Sequence, residues 1–263
     1  NQKVSDKGKP ASPPKPHNPE LPHILFGLRR RRVGERGLHR MRAVRIRFKK
    51  IENAKYISHL DLTRTMARAV RRAGIPLWYT EGFNRHPYIT FASPLSLGFE
   101  SLCESMDIRL VEDMPMDELV RRLNSVLPAG LEVIKAGEPV MKPKEIAFAA
   151  YRIAFQNSGF ADFKENIREF LSRQSIEALK KTKKGDLKNV DLKPALKNAA
   201  VRVDDRSVVI EVVLPCGGKD TISPNLLCSA INDFLNEKSG TEQKLFCNIV
   251  RVNLLNGEGV PFK

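Results

Sequence analysis

The sequence lacks three features that assign many chains to a class: cysteines at metal-binding spacing, a long apolar run and an excess of acidic residues. Its four cysteines follow no CxxC pattern of the kind found in zinc sites and iron–sulfur clusters, and they are Cys103, Cys216, Cys228 and Cys247. No apolar run approaches the roughly 20 residues of a membrane-spanning helix. We therefore expect a cytoplasmic protein with reduced thiols, no metal site, no cofactor of its own and no membrane contact.

Motifs of the common enzyme classes are also missing. The chain has no dinucleotide-binding glycine fingerprint, no HExxH and no serine elbow. Cys216-Gly217-Gly218-Lys219 is not a P-loop, because the first glycine and the Ser or Thr of that motif are absent.

What is abundant is positive charge. The 263 residues carry 45 Lys and Arg against 30 Asp and Glu, a net charge of +15. Residues 1–40 are rich in Lys, Pro and Arg, and we predict that they form a disordered basic extension or linker. Two interpretations fit this segment: a native start at Met41, or a linker from a fused upstream domain. The remaining residues are also basic, which favours a polyanionic partner.

The stretch from Tyr56 to Ser101 is the most informative part of the chain. Ser58 followed by Asp61 resembles a capping box, and Gly74 with Pro76 predicts the end of a helix. Leu62, Met66, Val70 and Ala73 fall at helical spacing and predict its buried face. Arg64, Arg68 and Arg71 share another face, which we predict to be an exposed positive row.

Six aromatic residues, including the only Trp, lie between Trp78 and Phe99. Gly82 and His86-Pro87 bracket Phe83, Asn84 and Arg85 in a predicted loop. A basic helix beside exposed aromatics is typical of surfaces that bind single-stranded nucleic acid. Alternatively, the aromatics belong to the core and the arginines form a solvated helix face.

Two histidines are candidates for acid–base chemistry. His59 lies in the first turn of the predicted helix, where the dipole disfavours the imidazolium and leaves a neutral ring able to act as a base. His86 lies in the loop, and the two could form an acid–base pair for RNA cleavage if they are close. The alternative is that His59 is a partly buried residue bonded to the backbone. We predict that His59, Asp61 and the loop residues 83–86 converge on one concave surface.

A second basic cluster precedes Gly185. Lys183 and Lys184, with the neighbouring Lys180 and Lys181, predict a flexible hairpin suited to phosphate contacts. The alternative is a solvated hairpin whose charge only opposes aggregation.

The order of periodic segments predicts an α+β fold of two tandem ferredoxin-like (βαββαβ) units. The first, at residues 41–137, begins with a strand whose Val44, Ile46 and Phe48 alternate with a basic outer face. A turn-rich boundary at 137–144 separates it from the second unit, at residues 145–256.

Residues 41 to about 255 resemble the bacterial radical SAM-linked protein family, a domain of unknown function. The match is carried by YISHLDL and by AGIPLWYTEGFNRHPYITFASPLSLGFES, and more weakly by KKTKKGDLKNVDLKP. Arg85, where that loop often has Pro, and Lys193, where Arg is more usual, are departures from the pattern. Members stand beside, or fused to the C-terminus of, a radical SAM protein, so the resemblance implies such a protein as partner.

Three functions are consistent with these patterns. The first is an RNA-binding or substrate-presenting accessory to a radical SAM enzyme, without activity of its own. The second is a metal-independent endoribonuclease, by analogy with ribonucleases of tandem ferredoxin-like architecture. The third is a protein–protein adaptor that binds no RNA.

Overall fold

The computed structural model describes residues 41–156, 159–181, 185–203, 207–218 and 220–263. The predicted basic extension at 1–40 lies outside these residues. The described residues form one compact unit. The first half of this unit contains β1 (Arg42–Lys50), α1 (His59–Arg72), β2 (Ile89–Phe91), β3 (Glu100–Leu110), α2 (Met116–Asn124) and β4 (Leu131–Gly137).

The described residues of the second half form nine further strands and α-helices. They are β5 (Ile146–Gln156), α3 (Phe163–Ser172), β6 (Glu177–Lys181), β7 (Leu187–Asp191), α4 (Lys193–Leu196), β8 (Ala200–Val203), β9 (Ser207–Pro215), α5 (Pro224–Ser239) and β10 (Phe246–Asn256). The predicted α+β class is confirmed. Among the described strands and α-helices, the short helix α4 and the strand β8 were not predicted from the sequence.

One eight-stranded sheet runs through both halves in the order β4-β1-β3-β10-β5-β9-β8, with β2 on the edge of β3. β3 pairs with β2 near its C-terminal end and with β10 near its start, where Glu100 and Ser101 meet Val250 and Arg251 in parallel. The predicted boundary at 137–144 begins at the last residue of β4 and ends before β5. Because the sheet is continuous across β3 and β10, the division into two domains stays a prediction.

The hairpin of β6 and β7 forms a separate two-stranded sheet. Its residues fall within the second predicted unit, at residues 145–256. The strand that pairs with β9 at the sheet edge is instead β8, through Val201 opposite Ile210. The hairpin therefore stands apart from the main sheet.

Helix α1 follows its sequence signals closely. The Ser58 hydroxyl accepts a hydrogen bond from the Asp61 backbone N–H at 3.1 Å, so the predicted cap is confirmed. Leu62, Met66 and Val70 are buried against β1 residues such as Phe48, as predicted. Burial of this apolar face, more than intrinsic helix propensity, holds α1 in place.

The predicted basic outer face of β1 is wrong for Arg45. Its guanidinium is buried, bonds both carboxylate oxygens of Asp107 at 2.7 Å and lies 4.3 Å from the centroid of the Phe262 ring. It also donates to the carbonyl of Lys263 at 2.8 Å. The C-terminal segment covers this side of β1. The alternation within the strand cannot predict this contact, because Lys263 is 218 residues from Arg45 in the sequence.

Candidate functional site

The exposed face of α1 carries the predicted row of arginines. Arg64, Arg68 and Arg71 are all exposed, as predicted, because the apolar face of the helix turns them away from the sheet. Arg64 makes a solvent-exposed ion pair at 3.4 Å with Asp61, and Arg68 Nε donates to the Arg64 carbonyl at 3.2 Å. Such exposed pairs are weak, so these guanidiniums remain able to bind phosphates.

A cavity of about 500 Å³ adjoins the C-terminal part of this row. Its lining consists of Thr65, Arg68, Arg71, Arg72 and Pro128. Arg72 is held by a hydrogen bond of 2.8 Å to the Val126 carbonyl, in the segment after α2. Three guanidiniums around one depression form a concave, positively charged surface.

The loop after α1 stands on a cluster of two aromatic rings and one cation. The Arg109 guanidinium on β3 lies 4.6 Å from the centroid of Tyr88 and 5.4 Å from that of Trp78. The two rings are 5.6 Å apart, and the Tyr88 N–H donates to the Trp78 carbonyl at 3.1 Å. Cation–π contacts of this kind fix the base of the loop to β3.

Thr80 and His86 close the loop. The Thr80 N–H donates to the His86 carbonyl at 2.9 Å, and the His86 Nδ1 lies 3.1 Å from both Thr80 Oγ1 and the Asn84 carbonyl oxygen. Gly82 has a φ of +123°, a region that other residues rarely adopt. The polar contacts of His86 thus fix the shape of the loop.

The closed loop projects its tip into solvent. Phe83 is fully exposed, at 104% of its reference area, and Asn84 and Arg85 are exposed beside it. A ring held entirely in water contributes nothing to the core, so the alternative that Phe83 is a core residue is wrong. An exposed Phe on a fixed loop is available to stack on a base or to pack on a partner.

His59 makes its ring contact with β2. Its ring packs edge-on against Phe91 with centroids 5.2 Å apart, and Phe91 pairs with Met106 on β3. Leu77, at the base of the loop, pairs with Leu110 on β3. Leu110 is four residues after Met106, which corresponds to about 13 Å along the strand. Among the described residues, no hydrogen bond, ion pair or ring contact joins His59 or Asp61 to the loop that carries His86. Their joint role in catalysis stays a prediction without geometric support.

Lys183 and Lys184 lie outside the described residues, so their predicted phosphate contacts are untested. The strands on either side of them, β6 and β7, are described. Among the described residues, no three His, Cys, Asp or Glu side chains are grouped so as to hold a metal ion. No helix in the same part of the chain is long and apolar enough to cross a membrane.

A buried polar cluster that the sequence analysis missed lies where β3 meets β10. Glu104 and Arg251 form a fully buried ion pair, and Lys50 is buried beside them. Arg251 also donates to the Ser93 carbonyl at 3.0 Å and to the Pro94 carbonyl at 3.3 Å. The loop 92–99, part of the most family-like stretch, is thereby bound to the junction of the two halves.

The ionisation of this cluster reflects its burial. Burial lowers the pKa of Lys50, an effect that Glu104 opposes and Arg251 reinforces. Burial also acts to lower the pKa of Arg251, but the charge and hydrogen bond of Glu104 outweigh it and the pKa is raised. Burial raises the pKa of the adjacent Cys103 thiol, which keeps it protonated. In the sequence, this cluster is indicated by a single arginine, Arg251, within the largely apolar segment NIVRVNLL.

The family described as "uncharacterized protein conserved in bacteria" (DUF2344) matches residues 43–224. The matched span includes α1, the loop 80–86, the buried Glu104 and the β6–β7 hairpin. No curated protein matches the sequence. Because the match extends over more than half of the 263 residues, the chain belongs to this family of uncharacterised bacterial proteins.

Proposed function

We propose that this protein is an RNA-binding accessory that presents an RNA substrate to a radical SAM enzyme. The observation that carries the RNA-binding part is the exposed row of Arg64, Arg68 and Arg71 on α1, continued by Arg72 around the adjoining cavity. The radical SAM partner rests on the resemblance of residues 56–101 to the family found beside or fused to such proteins.

The finer fold within this proposal is a pair of ferredoxin-like halves joined edge to edge. Two strand orders support it: β4-β1-β3-β2 in the first half and β10-β5-β9-β8 in the second, each with antiparallel neighbours. On this interpretation the β6–β7 hairpin and α4 are an insertion between α3 and β8. The two halves would then share one sheet through β3 and β10.

Phosphate binding and base stacking would be divided between two neighbouring parts of the surface. The loop begins only a few residues after the end of α1. Ile75 and Leu77, which are both buried, connect the helix to the base of the loop. The arginine row would neutralise phosphates, and Phe83 would stack on an unpaired base. Single-stranded RNA suits this arrangement, because its bases are free to stack on an exposed ring.

The test is the salt dependence of binding to a single-stranded RNA. We expect log K to fall linearly with log salt, and we expect replacement of Arg64, Arg68 and Arg71 by Gln to reduce the slope by about two units, at ~0.7 per phosphate contact. The matched control replaces the exposed Lys135, Lys142 and Lys144 by Gln, which removes the same charge elsewhere. If the two triple variants have equal slopes of log K against log salt, the assignment of the arginine row on α1 as the RNA-binding surface is contradicted.

A second measurement tests the role of Phe83, and two further outcomes distinguish the three candidate functions. Phe83→Ala should weaken RNA binding by about 1–3 kcal/mol without altering the unfolding midpoint, because the ring is outside the core. Cleavage of RNA by the isolated protein without metal would favour the ribonuclease. Salt-insensitive binding to the radical SAM protein with no retention of RNA would favour the adaptor.

A further inference from the structure

Two of the four cysteines, Cys228 and Cys247, meet where α5 packs beside the start of β10. Cys228 lies in the second turn of α5, and Cys247 is the second residue of β10. Both are free thiols, both are half-buried, and both pack against the apolar core between the sheet and the helices α3 and α5. The fold therefore places two thiols, distant in sequence, at one helix–strand contact.

A regular series of contacts aligns α5 with the segment that enters β10. Asn236 Oδ1 accepts from the Gln243 N–H at 3.0 Å, and Asn236 Nδ2 donates to the Gln243 carbonyl at 3.0 Å. One helical turn earlier, Asn232 Oδ1 accepts from the Leu245 N–H at 2.7 Å. Four residues of helix span about 6 Å and two residues of extended chain about 6.6 Å, so the two steps match. The next step of this series pairs the two cysteines.

The directions of the side chains agree with that alignment. Cys247 and Ile249 are two residues apart on β10, so they leave the same face of the strand. Ile249 is buried in one apolar core with Ile231 of α5, and Cys228 lies three residues before Ile231 on the same helix face. The Cys228 S–H donates a hydrogen bond to the Cys247 sulfur, so the two sulfur atoms are direct neighbours.

This hydrogen bond gives the two thiols different acidities. The bond from Cys228 lowers the pKa of Cys247 against the effect of burial, and the positive charge of Lys244 acts in the same direction as the bond. The same bond, together with burial, raises the pKa of Cys228. Burial also raises the pKa of Cys103 and of Cys216. Because the thiolate is the reactive form, Cys247 is the expected nucleophile.

We propose that Cys228 and Cys247 form a site of reversible oxidation, at which hydrogen peroxide converts the two thiols into an intramolecular disulfide. The Cys247 thiolate attacks one peroxide oxygen, and the O–O bond breaks to give a sulfenic acid and hydroxide. The Cys228 sulfur then attacks the sulfenic sulfur, the S–S bond forms, and the S–O bond breaks. The two thiol protons end in water, so two thiols are oxidised while one peroxide is reduced to two waters.

The disulfide would fasten α5 to β10, the strand that joins the second half of the sheet to β3. A cross-link between residues 228 and 247 restricts the unfolded chain, so the oxidised protein should be the more stable form. The pair shares no residue with the arginine row on α1. The proposal therefore does not depend on RNA binding.

The test is treatment of the intact chain with a molar excess of hydrogen peroxide, followed by alkylation and a non-reducing peptide map by mass spectrometry. The free thiols should fall from four to two, the peptides of Cys228 and Cys247 should be cross-linked, and dithiothreitol should restore all four thiols. The urea midpoint of the oxidised chain should exceed that of the reduced chain. Cys228→Ser should stop at a sulfenic acid on Cys247, which dimedone captures. Cys247→Ser should slow the loss of thiols at least about tenfold.

The matched control is Cys216→Ser, which removes a half-buried cysteine outside the pair and should leave the rate of disulfide formation within about twofold of the original. Circular dichroism establishes that each variant is folded, and if a serine variant unfolds, the peptide map of the original chain decides. The proposal is overturned if peroxide leaves Cys228 and Cys247 as thiols or links either of them to Cys103 or Cys216. Equal rates of thiol loss in Cys247→Ser and Cys216→Ser would also overturn it.

Discussion

Met66 illustrates how single side chains hold α1 on the sheet. It is completely buried among Phe48, Met106 and the other residues of the first apolar cluster. Met66→Ala should lower the free energy of unfolding by about 2–5 kcal/mol, because the lost methylenes leave a cavity in a close-packed core. Urea denaturation followed by circular dichroism measures this change.

Leu60→Ala is the matched control for that substitution. Leu60 lies on the same helix but is 58% exposed, so the same truncation should change the free energy of unfolding by less than about 0.5 kcal/mol. Similar losses in the two variants would mean that α1 does not bury the face described above.

At the scale of elements, Asp191 connects the β6–β7 hairpin to α4. Its Oδ1 accepts hydrogen bonds from the backbone N–H groups of Ile176 and Lys193, each at 2.9 Å. The bond from Ile176, followed by that from Lys193, lowers the pKa of this carboxyl. The ionised form is therefore favoured in the folded protein more than in the unfolded chain.

This lowered pKa predicts the sign of a pH effect. A depressed folded-state pKa contributes stability above the unfolded value of about 3.9, and that contribution is lost as the pH falls through the folded pKa. Asp191→Asn retains an acceptor oxygen but cannot titrate, so its unfolding midpoint in urea should fall less than that of the original protein between pH 7 and pH 3. An NMR titration of the Asp191 carboxyl with a midpoint at or above that of a peptide reference would contradict this.

At the scale of the whole molecule, the Glu104–Arg251 pair joins the two halves of the sheet. Glu104→Gln leaves Arg251 and Lys50 buried without a carboxylate, and it should cost about 3–5 kcal/mol of folding free energy. The loss should appear in guanidinium denaturation as a lower midpoint of the transition. It arises from the unpaired buried charge rather than from the strength of the ion pair itself.

Glu132→Gln provides the comparison. Glu132 on β4 pairs with Lys49 on β1 at 2.9 Å, but it is more than half exposed, so its loss should cost about 0–1 kcal/mol. If Glu104→Gln costs no more than Glu132→Gln, the carbonyl groups of Ser93 and Pro94 would be sufficient partners for Arg251.

The local elements were largely determined by the sequence. Ser58 and Gly74 marked the ends of α1, and the spacing of Leu62, Met66 and Val70 predicted its buried face. These predictions succeed because caps and helical periodicity depend on residues within a few positions of one another. The exposure of the arginine row follows from the same periodicity, since one face of an amphipathic helix is buried.

Only the tertiary structure decided which distant residues meet. The burial of Arg45 under Phe262 and the pairing of β3 with β10 both depend on contacts between segments far apart in the chain. The exclusion of the β6–β7 hairpin from the main sheet, in favour of β8, is of the same kind. Strand periodicity predicts which face of a strand is apolar, but the partner strand is chosen by packing across the whole sheet.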